Sequence, residues 1–217
     1  MNFTTIETVL RFLFFALIVR PIAYVVLGLN VRHMHRLPTT GPAILVANHN
    51  SHLDTLVLMS LLPLRILPKL RPVAAADYFL SNPVLAWFAL KIIGIIPISR
   101  TKKGGNPLSG AFGALRKNDV LIIYPEGTRG DPEHMKDNFK QGIRLIAKKF
   151  PNTPVSPIFL HGLGKALPKG ETLFVPYFCD VFIGKPMCYR EDKNNFMTNL
   201  HAALTTLSTE GDFEDWQ

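Results

Sequence analysis

A histidine and an aspartate five residues apart, His49 and Asp54 in Asn48-His49-Asn50-Ser51-His52-Leu53-Asp54, are the residues of this sequence best suited to proton chemistry. A carboxylate on one imidazole nitrogen fixes the tautomer and leaves the other nitrogen as a base. On a regular helix a spacing of five sets two side chains about 140° apart, on different faces. The two can meet only if His49 lies in a loop and the chain curls into a helix at Asp54, where the helix dipole favours a carboxylate. No serine or cysteine nucleophile is needed, because a substrate hydroxyl deprotonated by the imidazole can itself attack an acyl thioester. A helix-capping aspartate beside a surface histidine fits the same spacing, so the block alone does not decide.

Three further blocks do. Gly94-Ile95-Ile96-Pro97-Ile98-Ser99-Arg100 ends an apolar run on an arginine, and Tyr124-Pro125-Glu126-Gly127-Thr128-Arg129 ends another on a glutamate, a glycine and a second arginine. Thr153-Pro154-Val155-Ser156-Pro157-Ile158 leads into a third. In this order and spacing the four blocks resemble the glycerolipid acyltransferase family that includes 1-acylglycerol-3-phosphate acyltransferase, the PlsC type, over roughly residues 40–165. The resemblance implies that His49 is the general base on the acceptor hydroxyl and that Asp54 orients it. It further implies that Arg100, Glu126, Gly127, Thr128 and Arg129 help bind the acceptor's glycerol-phosphate. The planar guanidinium fork suits that task, since it meets phosphate oxygens two at a time.

The implied reaction moves a fatty acyl group from acyl-CoA or acyl carrier protein to the sn-2 hydroxyl of 1-acylglycerol-3-phosphate (lysophosphatidate), giving phosphatidate. The family needs no metal or other cofactor, and the seven histidines show no zinc-type spacing. His52 reads as structural, and Lys102, Lys103 and Lys140 read as solvated lysines that could enlarge a positive basin. Two departures bear on the acceptor: Pro97 stands where many relatives carry an aromatic residue, and Gly130 where a serine is common. The alternatives are acyl transfer to another lysolipid, a lysophospholipid or lyso-aminolipid, and a non-catalytic lipid-binding protein of the same fold. Loss of His49 or Asp54 would favour the last; both are present.

These loops need a frame. Ala43–Ala47, Val73–Ala76, Ile95–Ser99, Val120–Tyr124 and Val155–Leu160 read as buried strands, with Val175–Ile183 a further one interrupted by Pro176. Thr55–Leu62, Pro83–Ile92, Leu108–Lys117, Phe139–Phe150 and Asp192–Leu207 read as helices between and after them. The alternation predicts an α/β fold with a mixed, largely parallel sheet flanked by helices. Chemistry in such sheets gathers in loops at the strand ends, where the blocks fall.

The amino terminus is apolar. Val9–Leu29 as one helix would span about 31 Å, enough for a bilayer core. Arg20 would then sit near the midplane at a cost of about 2.5–3.5 kcal/mol, and Pro21 removes a backbone donor and bends a helix. A bent helical hairpin dipping into one leaflet, with Arg20 reaching back to the headgroups, is the expectation. No basic cluster precedes the run and no small-residue cleavage site follows, as a secretory signal would require. Arg32-His33-Met34-His35-Arg36 then supplies a basic flank, each Lys or Arg adding about 1 kcal/mol of attraction to an anionic leaflet. We therefore expect a membrane-associating helical segment over residues 1–37 and an acyltransferase domain over 38–217, held at the cytoplasmic face.

Composition agrees with that reading. The chain has 217 residues, 47% of them hydrophobic, and a formal charge of +8, which suits anionic lipid or a phosphorylated substrate. Nucleic acid fits the charge but finds no recognition motif. The two cysteines, Cys179 and Cys188, make neither a disulfide framework nor a metal cassette.

Overall fold

The computed structural model describes residues 3–99, 105–130, 139–167, 175 and 177–211; Arg100, Lys102, Lys103 and His134 lie outside them. The strands are β1 (Asn30–Arg32), β2 (Ala43–Ala47), β3 (Leu70–Ala75), β4 (Ile96–Ile98), β5 (Val120–Ile123), β6 (Val155–His161) and β7 (Asp180–Ile183). They form one seven-stranded sheet in the order β1-β7-β6-β2-β5-β3-β4. All neighbours run parallel except β6 and β7. The expected fold class is the one observed.

The central strands are apolar on both faces because helices cover both. Ala43, Leu45, Val120, Ile122 and Ile158 face one layer, built from the N-terminal helix and α2 (Leu53–Leu61). Ile44, Val46, Leu121 and Ile123 face the other, built from α5 (Ser109–Arg116), α6 (Gly142–Lys149) and α8 (Phe196–Thr209). The shorter helices are α3 (Ala76–Phe79), α4 (Pro83–Trp87), which runs into a π-helical turn at Phe88–Ile93, and α7 (Leu163–Ala166).

The amino terminus corrects the hairpin expectation. Helix α1 (Thr5–Phe14) continues through π-helical turns at Phe15–Val19 and Ile22–Val26, giving one helix over Thr5–Val26. Pro21 keeps helical angles (φ −56°, ψ −43°) inside it. The wide turns on either side give the physical reason: they re-route the backbone bonds around the ring, with the Arg20 N–H reaching the Phe15 carbonyl. Thr4 and Glu7 close the start with a reciprocal capping box. Arg20 does not reach outward. Its Nε donates to the Ser60 carbonyl at 3.1 Å and its Nη2 to that of Leu62 at 2.9 Å, at the end of α2.

The basic flank is also engaged within the fold. Arg32 lies on β1, which pairs with β7; Arg36 Nη1 donates to the Ile183 carbonyl at 2.9 Å, and His33 meets Glu210 at 2.7 Å. Phe15, Val19, Ala23 and Leu27 share one core with the sheet. Of the long strand expected over Val175–Ile183, Pro176 lies outside the described residues and Asp180–Ile183 forms the strand, because pairing with β6 begins at His161 opposite Asp180.

Candidate active site

Strands β2 and β5 are neighbours and parallel, so the loops leaving their carboxyl ends lie side by side. The β2 loop carries His49 and the β5 loop carries Glu126–Arg129. Asp54 is the second residue of α2 and fully buried. His49 Nδ1 and Asp54 Oδ2 are 2.8 Å apart, the meeting that the loop-to-helix turn was expected to produce. The same Oδ2 accepts the backbone N–H groups of Asn50 at 2.7 Å and Ser51 at 2.9 Å. One carboxylate oxygen therefore holds the ring and shapes the turn that presents it.

Glu126 joins the two loops. It is 3% exposed, and its Oε1 accepts the His49 backbone N–H at 3.0 Å. The Gly130 N–H returns a bond to the His49 carbonyl at 2.7 Å. Glu126 thus touches the backbone of the candidate base and positions it. Gly127 makes the turn after it with φ +73°, a conformation that side chains rarely adopt. The Lys140 backbone N–H bonds the Pro125 carbonyl at 2.7 Å. Its aliphatic stem lies over Gly127, so Lys140 flanks the loop. Thr128 is exposed and Arg129 half-buried on this loop. Arg100 lies outside the described residues.

Three further residues build the site, and sequence reading did not single them out. Tyr124 stacks on His49 with ring centroids 4.1 Å apart and planes 19° apart. Its hydroxyl is 2.9 Å from Thr55 Oγ1 on α2. Burial, with the Asp54 charge adding to it, holds this phenol well above its ordinary value, so it remains neutral. Asn48 ties the end of β2 to β6: its Nδ2 donates to the Leu160 carbonyl at 2.8 Å, and its Oδ1 accepts the Leu160 N–H at 2.7 Å. Ser51 Oγ accepts the Leu53 N–H at 3.2 Å and donates to the Leu167 carbonyl at 3.0 Å. Asn48 adjoins His49 and Tyr124 opens the block that holds Glu126, but nothing in sequence gives their partners.

His52 stands at the rim. Its ring stacks on Tyr78 at 5.7 Å, and its Nε2 lies 3.3 Å from the Tyr78 hydroxyl. Partial burial, then the charges of Arg129 and His49, lower this imidazole below its ordinary value. Burial, with Asp180 and Asp54 adding to it, pushes the Cys179 thiol up to about 12, which makes it a poor nucleophile. Among the described residues no group of three or more His, Cys, Asp or Glu is placed to hold a metal ion.

The acyltransferase family model matches residues 28–161. The 1-acyl-sn-glycerol-3-phosphate acyltransferase alpha of Mus musculus is 32% identical over 162 residues, covering 73% of this chain and 54% of the mouse protein. The chloroplastic 1-acyl-sn-glycerol-3-phosphate acyltransferase LPAT1 of Arabidopsis thaliana is 30% identical over 146 residues, covering 66% of this chain and 38% of that protein. The chain thus spans about half or less of the length of these curated relatives. The crystal structure of the 1-acyl-sn-glycerophosphate (LPA) acyltransferase PlsC from Thermotoga maritima shares the fold with a TM-score of 0.71. That likeness covers 98% of this chain and 99% of the solved one at 18% identity. This chain belongs to the acyltransferase family.

Proposed function

We propose that this chain transfers a fatty acyl group from acyl-CoA or acyl carrier protein to the sn-2 hydroxyl of 1-acylglycerol-3-phosphate. The observation that carries the reading is the His49–Asp54 pair, joined through Glu126 to the Glu-Gly-Thr-Arg loop. The names of the relatives, 1-acyl-sn-glycerol-3-phosphate acyltransferases, support the same acceptor.

With Nδ1 held by Asp54, His49 Nε2 takes the proton of the acceptor hydroxyl as its oxygen attacks the thioester carbon. The tetrahedral intermediate collapses, the carbon–sulfur bond breaks, and the thiolate leaves as the free thiol after taking that proton. The products are phosphatidate and the thiol of the carrier. Arg129, with Arg100, docks the acceptor phosphate, while Gly127 and Thr128 shape the loop around it. Asp54 and Glu126 hold the base in place from its side chain and its backbone. The N-terminal helix, long and apolar enough to cross a membrane, holds residues 38–217 at the cytoplasmic face, where the acceptor partitions.

The test is an acyl-transfer assay with lysophosphatidate, glycerol-3-phosphate and lysophospholipids as acceptors, repeated with His49→Ala. Transfer to lysophosphatidate, reduced about 10²–10⁴-fold in the variant, is the expected result. Equal rates in the two proteins would overturn the base assignment. Activity confined to an acceptor without a phosphomonoester would overturn the substrate and favour another lysolipid.

A further inference from the structure

Two outward faces of the molecule carry large apolar side chains in the open. On the N-terminal helix, Ile6, Leu17 and Val25 are 73%, 68% and 79% exposed. On the α3–α4 segment, Val84 is 76% and Trp87 49% exposed, with Tyr78 and Leu80 alongside. Exposed apolar patches of this kind mark interaction surfaces. The two are continuous. The Phe14 ring meets Phe88 edge-on at 5.3 Å, and Lys91 pairs with Glu7 at 2.8 Å.

From Tyr78 to Leu90 the sequence holds no charged residue. Several of its polar groups bond within it: Asn82 Oδ1 accepts the N–H groups of Val84 and Leu85, and Ser81 Oγ donates to the Tyr78 carbonyl. A helix start capped in this way loses little on leaving water. At the far end Tyr78 stacks on His52, in the loop that carries His49. The segment free of charged residues therefore reaches from Phe88, packed on the N-terminal helix, to Tyr78 at the rim of the candidate site.

We propose that Tyr78, Leu80, Val84 and Trp87 form a second bilayer contact, seated at the headgroup–acyl boundary of the leaflet that holds the N-terminal helix. The lysolipid acceptor passes along it to His49. A bilayer is the occupant that fits, because the patch continues an apolar helix of membrane-spanning length and exposes a tryptophan and a tyrosine, whose rings settle between headgroup and chain. This rests on the membrane-bound reading above.

The chain has two tryptophans, Trp87 and Trp216, so Trp216→Phe leaves Trp87 as the only indole. That protein is mixed with vesicles of phosphatidylglycerol and phosphatidylethanolamine containing phosphatidylcholine brominated along its acyl chains. The expected result is a blue shift and quenching of the Trp87 emission. A Val84→Asp variant with an unchanged thermal melt should bind these vesicles about tenfold more weakly. It should also show a raised KM for bilayer-embedded lysophosphatidate and an unchanged rate on a short-chain, water-soluble acceptor. Protein that sediments with vesicles while its Trp87 emission stays unshifted and unquenched overturns the second contact and leaves the N-terminal one standing. Protein that does not sediment at all overturns both. The fluorescence reads binding without catalysis, so failure of the acyltransferase assignment shows separately, as an inactive protein that still binds.

Discussion

Removing the His49 imidazole and removing the carboxylate beside it are different losses. His49→Ala takes away the proposed base and leaves the loop backbone held by Glu126 and Gly130, so the rate should fall about 10²–10⁴-fold with little change in melting temperature. Asp54→Ala also strands the buried N–H groups of Asn50 and Ser51, each at about 1–3 kcal/mol, so rate and stability should fall together. Acyl-transfer rates and thermal melts on the two variants separate these effects. His52 gives a pH signature. Its folded value is lowered, so as pH falls the unfolded chain takes up the proton first and stability is lost. The loss begins near the ordinary value of about 6.5 and ends at the lowered folded value. His52→Gln should flatten that acid slope in melts taken below about pH 6.5, while above it the wild type should be insensitive to this group.

Arg20 shows how one side chain joins two elements. Its bonds to the Ser60 and Leu62 carbonyls satisfy the end of α2, the helix that begins at the Asp54 turn. Arg20→Ala should destabilise the fold by about 1–2 kcal/mol, the low end for charged hydrogen bonds at a half-buried site, with Arg20→Lys losing less; chemical denaturation measures both. The same residue marks the limit of what could be read from sequence. Strands β2 and β5 were legible because central parallel strands are apolar throughout, and the turn into α2 was legible because His49 and Asp54 could meet in no other way. Arg20 looked like a charge seeking headgroups because its partners lie 40 and 42 residues away. Strand β1 is three residues, Asn-Val-Arg, with no apolar pattern, and β7 alone makes it a strand. The π-helical turns around Pro21 leave no periodicity of their own, and Tyr124 meets His49 only once β2 and β5 lie side by side.

At the scale of the molecule, the N-terminal helix has two apolar faces with different duties. Phe15, Val19, Ala23 and Leu27 are buried in the same core as the sheet, while Leu17 and Val25 point away from it. Mean hydropathy cannot separate these sets, but single substitutions can. Phe15→Ala empties a fully buried site and should destabilise the fold by about 3–5 kcal/mol whether or not a membrane is present. Leu17→Asp alters a side chain that contributes little to the core, so its melting temperature in solution should stay near wild type. In a bilayer the same aspartate enters an apolar phase, and binding to anionic vesicles should weaken by at least tenfold. Sedimentation with vesicles beside a thermal melt distinguishes the outcomes. If Leu17→Asp melts normally and still sediments with vesicles, the outward face does not contact lipid. If Phe15→Ala keeps wild-type stability, the helix is not part of the core that positions the His49 loop.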